Sequence, residues 1–146
     1  MNLLTRKAPP METAWESELA TFLTDLSAVQ EESLEILTRK RQLLVQTDRE
    51  GLAQLALREQ ALIERLQESL ERRQGLLERA AAEGLPSDSL RSLATALPGP
   101  QQGELAGQLN QASGRARLLQ HQALTNWVLV QRTLIHLSQM LEIIAT

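Results

Sequence analysis

Two apolar stripes of helical period, each about thirty residues long, follow one another with only a few residues between them. In both stripes the apolar positions are separated by alternating steps of three and four residues, which places them on one face of an α-helix. Two helices of this length joined by a short loop fold back on each other, so the pattern predicts a long antiparallel, coiled-coil-like hairpin. The first stripe contains Trp15, Leu19, Phe22, Leu26, Val29, Ser33, Ile36, Lys40 and Leu44, and the second contains Leu52, Leu55, Glu59, Leu62, Leu66, Leu70, Arg73, Leu77 and Ala80.

Start and stop signals divide the chain into four predicted helices. Pro9 and Pro10 indicate a flexible leader before the first helix. Thr47 with Glu50 fits a capping box, which predicts that the second helix begins there. Ser87 is the expected cap of a short third helix, and a Pro-Gly-Pro sequence separates this helix from the last one. The predicted elements of a single all-helical domain are the leader at 1–11 and helices at 12–45, 47–83, 87–97 and 101–145.

The composition agrees with an all-α, bundle-like fold and argues against several classes of function. Aromatic residues make up 2% of the 146 residues and strand-forming residues are scarce, so the core is expected to be aliphatic. The net charge of −3 gives no reason to expect nucleic acid as a partner. The sequence has no cysteine, which excludes disulfides and thiolate metal sites and fits a reducing cytoplasm.

The longest apolar segment, residues 125–144, is expected to face protein rather than lipid. A membrane-spanning helix needs about 20 predominantly apolar residues, and here Arg132, His136 and Glu142 interrupt the run. The first residues also lack the apolar core of a secretory signal. No membrane span is therefore expected.

The apolar surface of the last helix is wider than one neighbouring helix can cover. Its apolar residues fill an arc of about 160°, whereas a seam against one partner helix needs only a narrow stripe. The helix therefore lies in a groove between two others, or part of it faces another chain. Gly103, Gly107 and Gly114 fall opposite the stripe and cost about 1 kcal/mol each relative to Ala. We expect residues 101–120 to be mobile when no partner holds them.

Catalytic and metal-binding patterns are not found. His121 and His136 are about 22 Å apart along a helix, so they do not share a metal ion. A helical-bundle enzyme with a carboxylate–metal site would need a Glu three residues before a His, and neither histidine has one. We expect no enzymatic activity, no cofactor and no metal.

Five polar residues interrupt the stripes, and a basic cluster lies at residues 38–42. In a coiled coil such polar interruptions set the register of the helices, and this structural role is the first interpretation here. The basic cluster is read as a solvated helix face. Glu35–Arg39 in the first helix and Glu68–Arg72 in the second are pairs four residues apart in the favourable order. The interrupting residues are Ser33, Lys40, Glu59, Arg73 and Asn126.

Three segments of the chain have recognisable patterns. The second helix reads "LQESLERRQGLLERAAAEGL", the short helix "SDSLRSL", and the last helix "LTNWVLVQRTL", where Asn126 precedes an amphipathic end. Within them the motifs are Leu70-x2-Arg73-x2-Leu76-Leu77 and Gly84-Leu85. This arrangement resembles the FlgN family of flagellar export chaperones, and the resemblance extends over nearly the whole chain.

The resemblance implies a cytoplasmic chaperone that binds the hook–filament junction proteins FlgK and FlgL. Such chaperones hold the terminal helical segments of these partners, prevent premature association and deliver them to the flagellar export gate, including FlhA. The alternative from the residues alone is a structural coiled-coil or adaptor protein that self-associates through the same stripe, and a homodimer is left open. The resemblance assigns partner binding to the last helix, at Leu119, Asn126, Trp127, Val130, Leu134, Leu137, Leu141 and Ile144.

Overall fold

Four α-helices make up the computed structural model, which describes residues 11–97, Gly99 and residues 102–145. The regular elements of these residues are all helical, so the prediction of an all-α fold is confirmed. Residues 1–10, which contain most of the predicted leader, lie outside the described part. The helices are α1 (Met11–Gln46), α2 (Arg49–Ala82), α3 (Leu90–Ala96) and α4 (Gln102–Ala145).

The residues that begin α2 and α3 differ from the two predicted caps. Thr47 has a left-handed backbone with φ 56°, so it turns the chain and does not take the extended conformation of a cap. The cap of α2 is Asp48, whose Oδ1 accepts a hydrogen bond from the backbone N–H of Gly51 at 2.8 Å. In α3 the cap is Ser89, whose Oγ accepts from the N–H of Ser92 at 3.0 Å. Both helices therefore begin two or three residues later than predicted.

The chain divides into two compact units. Unit 1 contains α1 up to Ala28 together with Leu66–Ser113, and unit 2 contains Val29–Arg65 together with the chain from Gly114 onward. Each unit has its own cluster of buried apolar side chains. That the whole chain behaves as one domain stays a prediction.

Unit 1 has a core to which all four helices contribute. The short helix α3 inserts Leu93, and Leu97 follows directly after it; both side chains are at most 1% exposed. Since burying one large apolar side chain stabilises a fold by about 1.5–3 kcal/mol, α3 contributes more than its length suggests. The core consists of Trp15, Leu19, Phe22, Leu23, Ala80, Leu93, Ala94, Leu97, Leu105 and Leu109.

The first turns of α4 belong to this core through Leu105 and Leu109. On the other side of the helix, a methyl group added at Gly103, Gly107 or Gly114 would meet no atom within 4 Å. The predicted outward orientation of these three glycines is therefore confirmed. Whether this part of α4 is mobile in solution stays a prediction.

Unit 2 contains the tip of the hairpin, and its buried residues follow a heptad spacing. Leu43 is buried at 1% exposure, whereas Leu44, the predicted core position, is only half-buried. A seven-residue repeat keeps one seam of a helix against its neighbour, as in a coiled coil. The buried apolar residues are Val29, Ile36 and Leu43 from α1 and Leu55 and Leu62 from α2.

Ion pairs between α1 and α2 show that the two helices run antiparallel in each unit. Three acids seven residues apart on α1 pair with three arginines seven residues apart on α2, in the opposite chain direction, and in a fourth pair the charges are reversed. Surface pairs of this kind contribute about 0.2–1 kcal/mol each, so their main effect is to fix the register. The pairs are Glu18–Arg79 and Asp25–Arg72 in unit 1, and Glu32–Arg65 and Lys40–Glu59 in unit 2.

Candidate partner-binding surface

Within unit 2, the middle of α4 packs against α1 through three polar contacts. Arg115 pairs with Glu31 at 3.2 Å. The side-chain amide of Asn126 donates to the backbone carbonyl of Leu37 at 2.9 Å. A third contact joins Arg41 to Gln122, whose Oε1 accepts at 2.8 Å. Glu31 contacts residue 115, whereas residues 37–41 contact residues 122–126, so later positions on α1 meet later positions on α4 and the two helices lie parallel in this unit.

This arrangement leaves the end of α4 without α1 beside it. Helix α1 ends at Gln46, and at 1.5 Å per residue in both helices this is level with about residue 131 of α4. The remaining residues extend about 20 Å further. Every side chain described between 132 and 144 is exposed. The exposed large apolar side chains among them are Leu134, Ile135, Met140, Leu141, Ile143 and Ile144, at 47–78% exposure. We call these six residues the apolar end of α4.

The eight predicted partner-binding residues fall into four groups. Asn126 is buried at 4% exposure, and its amide is used in the chain's own packing against α1. Leu119 and Val130 are half-buried. Leu137 lies in α4, but its side chain is outside the described part. The exposed members are Trp127 at 59%, Leu134 at 51%, Leu141 at 67% and Ile144 at 78%. The predicted set is therefore not one continuous open surface.

A groove beside the hairpin tip was not predicted from the sequence. It lies within unit 2, has a volume of about 460 Å³, and is formed by the last turns of α1 and the middle of α4. Its apolar side chains include Val45 and Leu124, which are 69% and 58% exposed. The signals that could have indicated it are the basic cluster at residues 38–42 and the lack of acids in most of α4.

Other kinds of site find no support in the described residues. No group of three or more His, Asp or Glu side chains is placed to hold a metal ion in the part of the chain that the structure describes. In the same part, none of the helices is long and apolar enough to cross a membrane.

The comparison with known protein families identifies the family of this chain. A family model described as FlgN protein matches residues 11–146, from the start of α1 to the end of the chain. The chain belongs to the FlgN family. FlgN-family proteins are flagellar export chaperones, so the resemblance seen in the sequence is confirmed. Comparisons with curated proteins and with solved structures gave no match.

Proposed function

We propose that this FlgN-family chain is a cytoplasmic chaperone that binds FlgK and FlgL. In this proposal it covers their terminal helical segments, prevents premature association and delivers them to the export gate, including FlhA. Membership of the family supports the general role of an export chaperone. The choice of partners and the contact surface form the part that needs testing.

The observation that carries the proposal is the apolar end of α4. Exposed apolar patches on a folded chain mark interaction sites. Leu134, Leu141 and Ile144 are separated by seven and three residues, so their side chains follow one side of the helix. This spacing suits recognition of a partner helix through aliphatic anchors.

The residues of the proposed site have different roles. Trp127, Leu134, Leu141 and Ile144 contact the partner directly, and Leu137 joins them because its position on the helix is equivalent. Asn126 instead holds α4 against α1 through its bond to Leu37. Leu119 and Val130 are half-buried, and we assign them to the same packing. Substitutions in this second group would weaken partner binding only indirectly, because they would shift the position of α4.

A double substitution, Leu134→Ala with Leu141→Ala, tests the proposal. Truncating anchor residues at an interface costs about 2 kcal/mol or more, so affinity for a C-terminal segment of FlgK should fall roughly thirtyfold or more. Both side chains are more than half exposed, so the melting temperature of the free protein should stay nearly unchanged. The matched control is Leu57→Ala, since Leu57 is 76% exposed on α2 of the same unit.

Titration calorimetry and a thermal melt, measured on the same samples, separate the outcomes. Lost affinity with an unchanged melt supports the open anchor site. Unchanged affinity in the double variant overturns the assignment of the site. A lowered melting temperature shows that these leucines belong to the chaperone's own core.

Self-association through the same face is the alternative function. The apolar end of α4 is as able to pair with a second copy as with a partner helix, because nothing in its composition discriminates between them. Sedimentation of the free protein decides the matter. A dimer that dissociates in the double variant, with no affinity for FlgK or FlgL segments, favours the structural coiled-coil function.

A further inference from the structure

The groove beside the hairpin tip differs in chemistry from the apolar end of α4. Its lining includes apolar side chains, among them Val45, Leu124 and Val128. Arg41, Arg132 and His121 also line it. Its volume of about 460 Å³ falls in the range of about 300–1,000 Å³ that is typical of ligand sites. We call this site the basic groove.

The helix segments that form the basic groove contain no acidic residue. Residues 36–46 of α1 have three Lys or Arg and no Asp or Glu, and residues 105–141 of α4 have three Arg and no Asp or Glu. The whole chain nevertheless has a net charge of −3. Because acids are missing from these two segments, their net charge is positive, which raises the local potential for an acidic partner.

Two of the six cations are neutralised by acids of the chain, and the two at the groove are not. Lys40 pairs with Glu59, and Arg115 pairs with Glu31. Among the residues that the structure describes, Arg41 and Arg132 form no ion pair with a carboxylate. Arg41 donates to the neutral amide oxygen of Gln122 at 2.8 Å, which holds its guanidinium at the groove without cancelling the charge.

The basic groove lies on a different face of α4 from the predicted stripe. His121, Leu124, Val128 and Arg132 are spaced by three and four residues, so they form one line along the helix. At 100° per residue this line is roughly opposite Asn126 on the helical wheel. A ligand in the groove therefore does not compete for the stripe residues that hold α4 against α1.

We propose that the basic groove binds an acidic amphipathic helix of another protein. Apolar side chains of that helix enter the groove over Leu124 and Val128, and carboxylates on its edges pair with Arg41 and Arg132. A guanidinium binds a carboxylate through two parallel hydrogen bonds, which orients the incoming helix. This inference does not depend on FlgK or FlgL being the partners at the apolar end of α4.

The test uses three synthetic helical peptides of roughly eighteen residues, or five turns. In all three peptides the residues that form one face of the helix occupy the same positions. The first has Leu on that face and Glu along both edges, the second has Lys in place of Glu, and the third keeps Glu but has Ser in place of Leu. Fluorescence anisotropy with the full-length protein should show the first binding about tenfold or more tighter than either of the others. Added salt should lower the affinity for the first peptide.

Substitutions in the basic groove locate the binding. Leu124→Ser and Arg132→Glu change exposed side chains, so the fold should persist. Each substitution should lower the affinity for the first peptide by about tenfold. Leu57→Ser and Arg91→Glu are the matched controls, because both residues are exposed and lie outside the groove. The Arg132→Glu protein should in turn bind the Lys peptide more tightly than the unchanged protein does. The Leu134→Ala, Leu141→Ala variant should keep its affinity.

Each other outcome overturns the inference. Equal affinity for the Glu and Lys peptides means that apolar contacts alone account for the binding and that the arginines do not contribute. Full affinity in both groove variants places the peptide elsewhere, and no binding at high micromolar concentration means that the groove takes no such helix. Sedimentation with phosphatidylglycerol vesicles tests whether the groove binds an anionic lipid surface. Vesicle binding that depends on Arg132, without peptide binding, would assign the groove to an anionic lipid surface instead.

Discussion

The guanidinium of Arg79 lies over the indole ring of Trp15, with 4.5 Å between its Cζ atom and the ring centroid. Both terminal nitrogens of Arg79 also donate to the carboxylate of Glu18, one helical turn after Trp15. Arg72 repeats the stacking contact over Phe22 at 5.3 Å. In unit 1 these two arginines of α2 thus cover aromatic core residues of α1, and a carboxylate on α1 fixes the position of each.

Replacing Arg79 with Met should destabilise the protein by about 1–2 kcal/mol. The variant keeps an aliphatic stem over Trp15 but loses the cation–π contact, about 0.5–1 kcal/mol at an exposed site. It also loses the ion pair with Glu18, about 0.2–1 kcal/mol. Urea denaturation followed by circular dichroism measures the change. Arg117→Met is the control, because Arg117 is exposed on α4 and a surface change there should stay within about 0.5 kcal/mol.

The stabilising effect of Glu18 should disappear in acid. The hydrogen bond from Arg79 holds the pKa of Glu18 below its ordinary value, against a smaller effect of burial. Because the pKa is lower in the folded state, the contribution is present above the unfolded pKa of about 4.3 and is lost as pH falls through the folded value. Its size should be at most about 1 kcal/mol, since the pair is exposed and screened.

Urea midpoints of the unchanged protein and of Glu18→Gln, taken from pH about 7 to about 2, follow this contribution. The difference between them should shrink across the acid range. A difference that stays constant to the lowest pH would show that the charge of Glu18 is not what stabilises unit 1.

Gly99→Ala should destabilise the protein, and Gly107→Ala should stabilise it. Gly99 has φ +145°, which L side chains rarely adopt, and an added methyl group would overlap the carboxylate of Glu16. A strained backbone position of this kind costs about 1–3 kcal/mol. At Gly107 the added methyl group meets open space, so the gain in helix propensity, about 0.5–1 kcal/mol, remains. Thermal melts of the two variants should shift in opposite directions, and equal shifts would contradict the geometry.

Asn126→Asp should cost clearly more than the same change at Asn110. Asp has nearly the shape of Asn, but it has no N–H to donate to the Leu37 carbonyl and brings a charge to a site that is 4% exposed. Leaving a buried polar group unsatisfied costs about 1–3 kcal/mol, and more for a charged group. Asn110 is exposed on the same helix, so its substitution is a matched control in denaturant unfolding. Equal effects would mean that Asn126 is not held in the packing of α4 against α1.

The helical stripes predict which face of each helix is apolar, but not what covers that face. Leu66 and Leu70 are stripe positions of α2, yet they are 36% and 66% exposed. The core of unit 1 instead gathers around Ala80 of α2, where α3 supplies Leu93. Coverage depends on where neighbouring helices lie, and a periodic pattern contains no information about distant segments.

The sequence alone did not predict which side chains of α1 and α2 pair, because that pairing depends on the conformation of the turn between the helices. Lys40 and Glu59 both appeared in the sequence as interruptions of an apolar stripe, and the structure joins them at 3.0 Å. Similarly, the sequence favoured Glu68 as the partner of Arg72, whereas the described ion pair of Arg72 is with Asp25 on α1. The left-handed turn at Thr47 sets the register that creates both pairs, and this conformation is unusual for Thr.

The candidate site was predicted in outline only. The wide apolar arc drew attention to the end of α4, where every described side chain from 132 to 144 is exposed. That this end binds a partner stays a prediction. The burial of Asn126 and the basic groove were not predicted, since both depend on α1 lying beside α4. Arg41 and Arg132 are distant in the sequence, and only packing brings them to one groove.

The contrast between the two indoles gives this chain a built-in optical readout. Trp15 is 2% exposed and Trp127 is 59% exposed, and the sequence has no tyrosine. Ultraviolet emission therefore comes from one shielded and one hydrated fluorophore, at short and long wavelength respectively. A red shift of the short-wavelength component reports loss of the core around Trp15, and a blue shift of the long-wavelength component reports a ligand covering α4. Unfolding and ligand capture can thus be followed separately in one spectrum, without any attached dye.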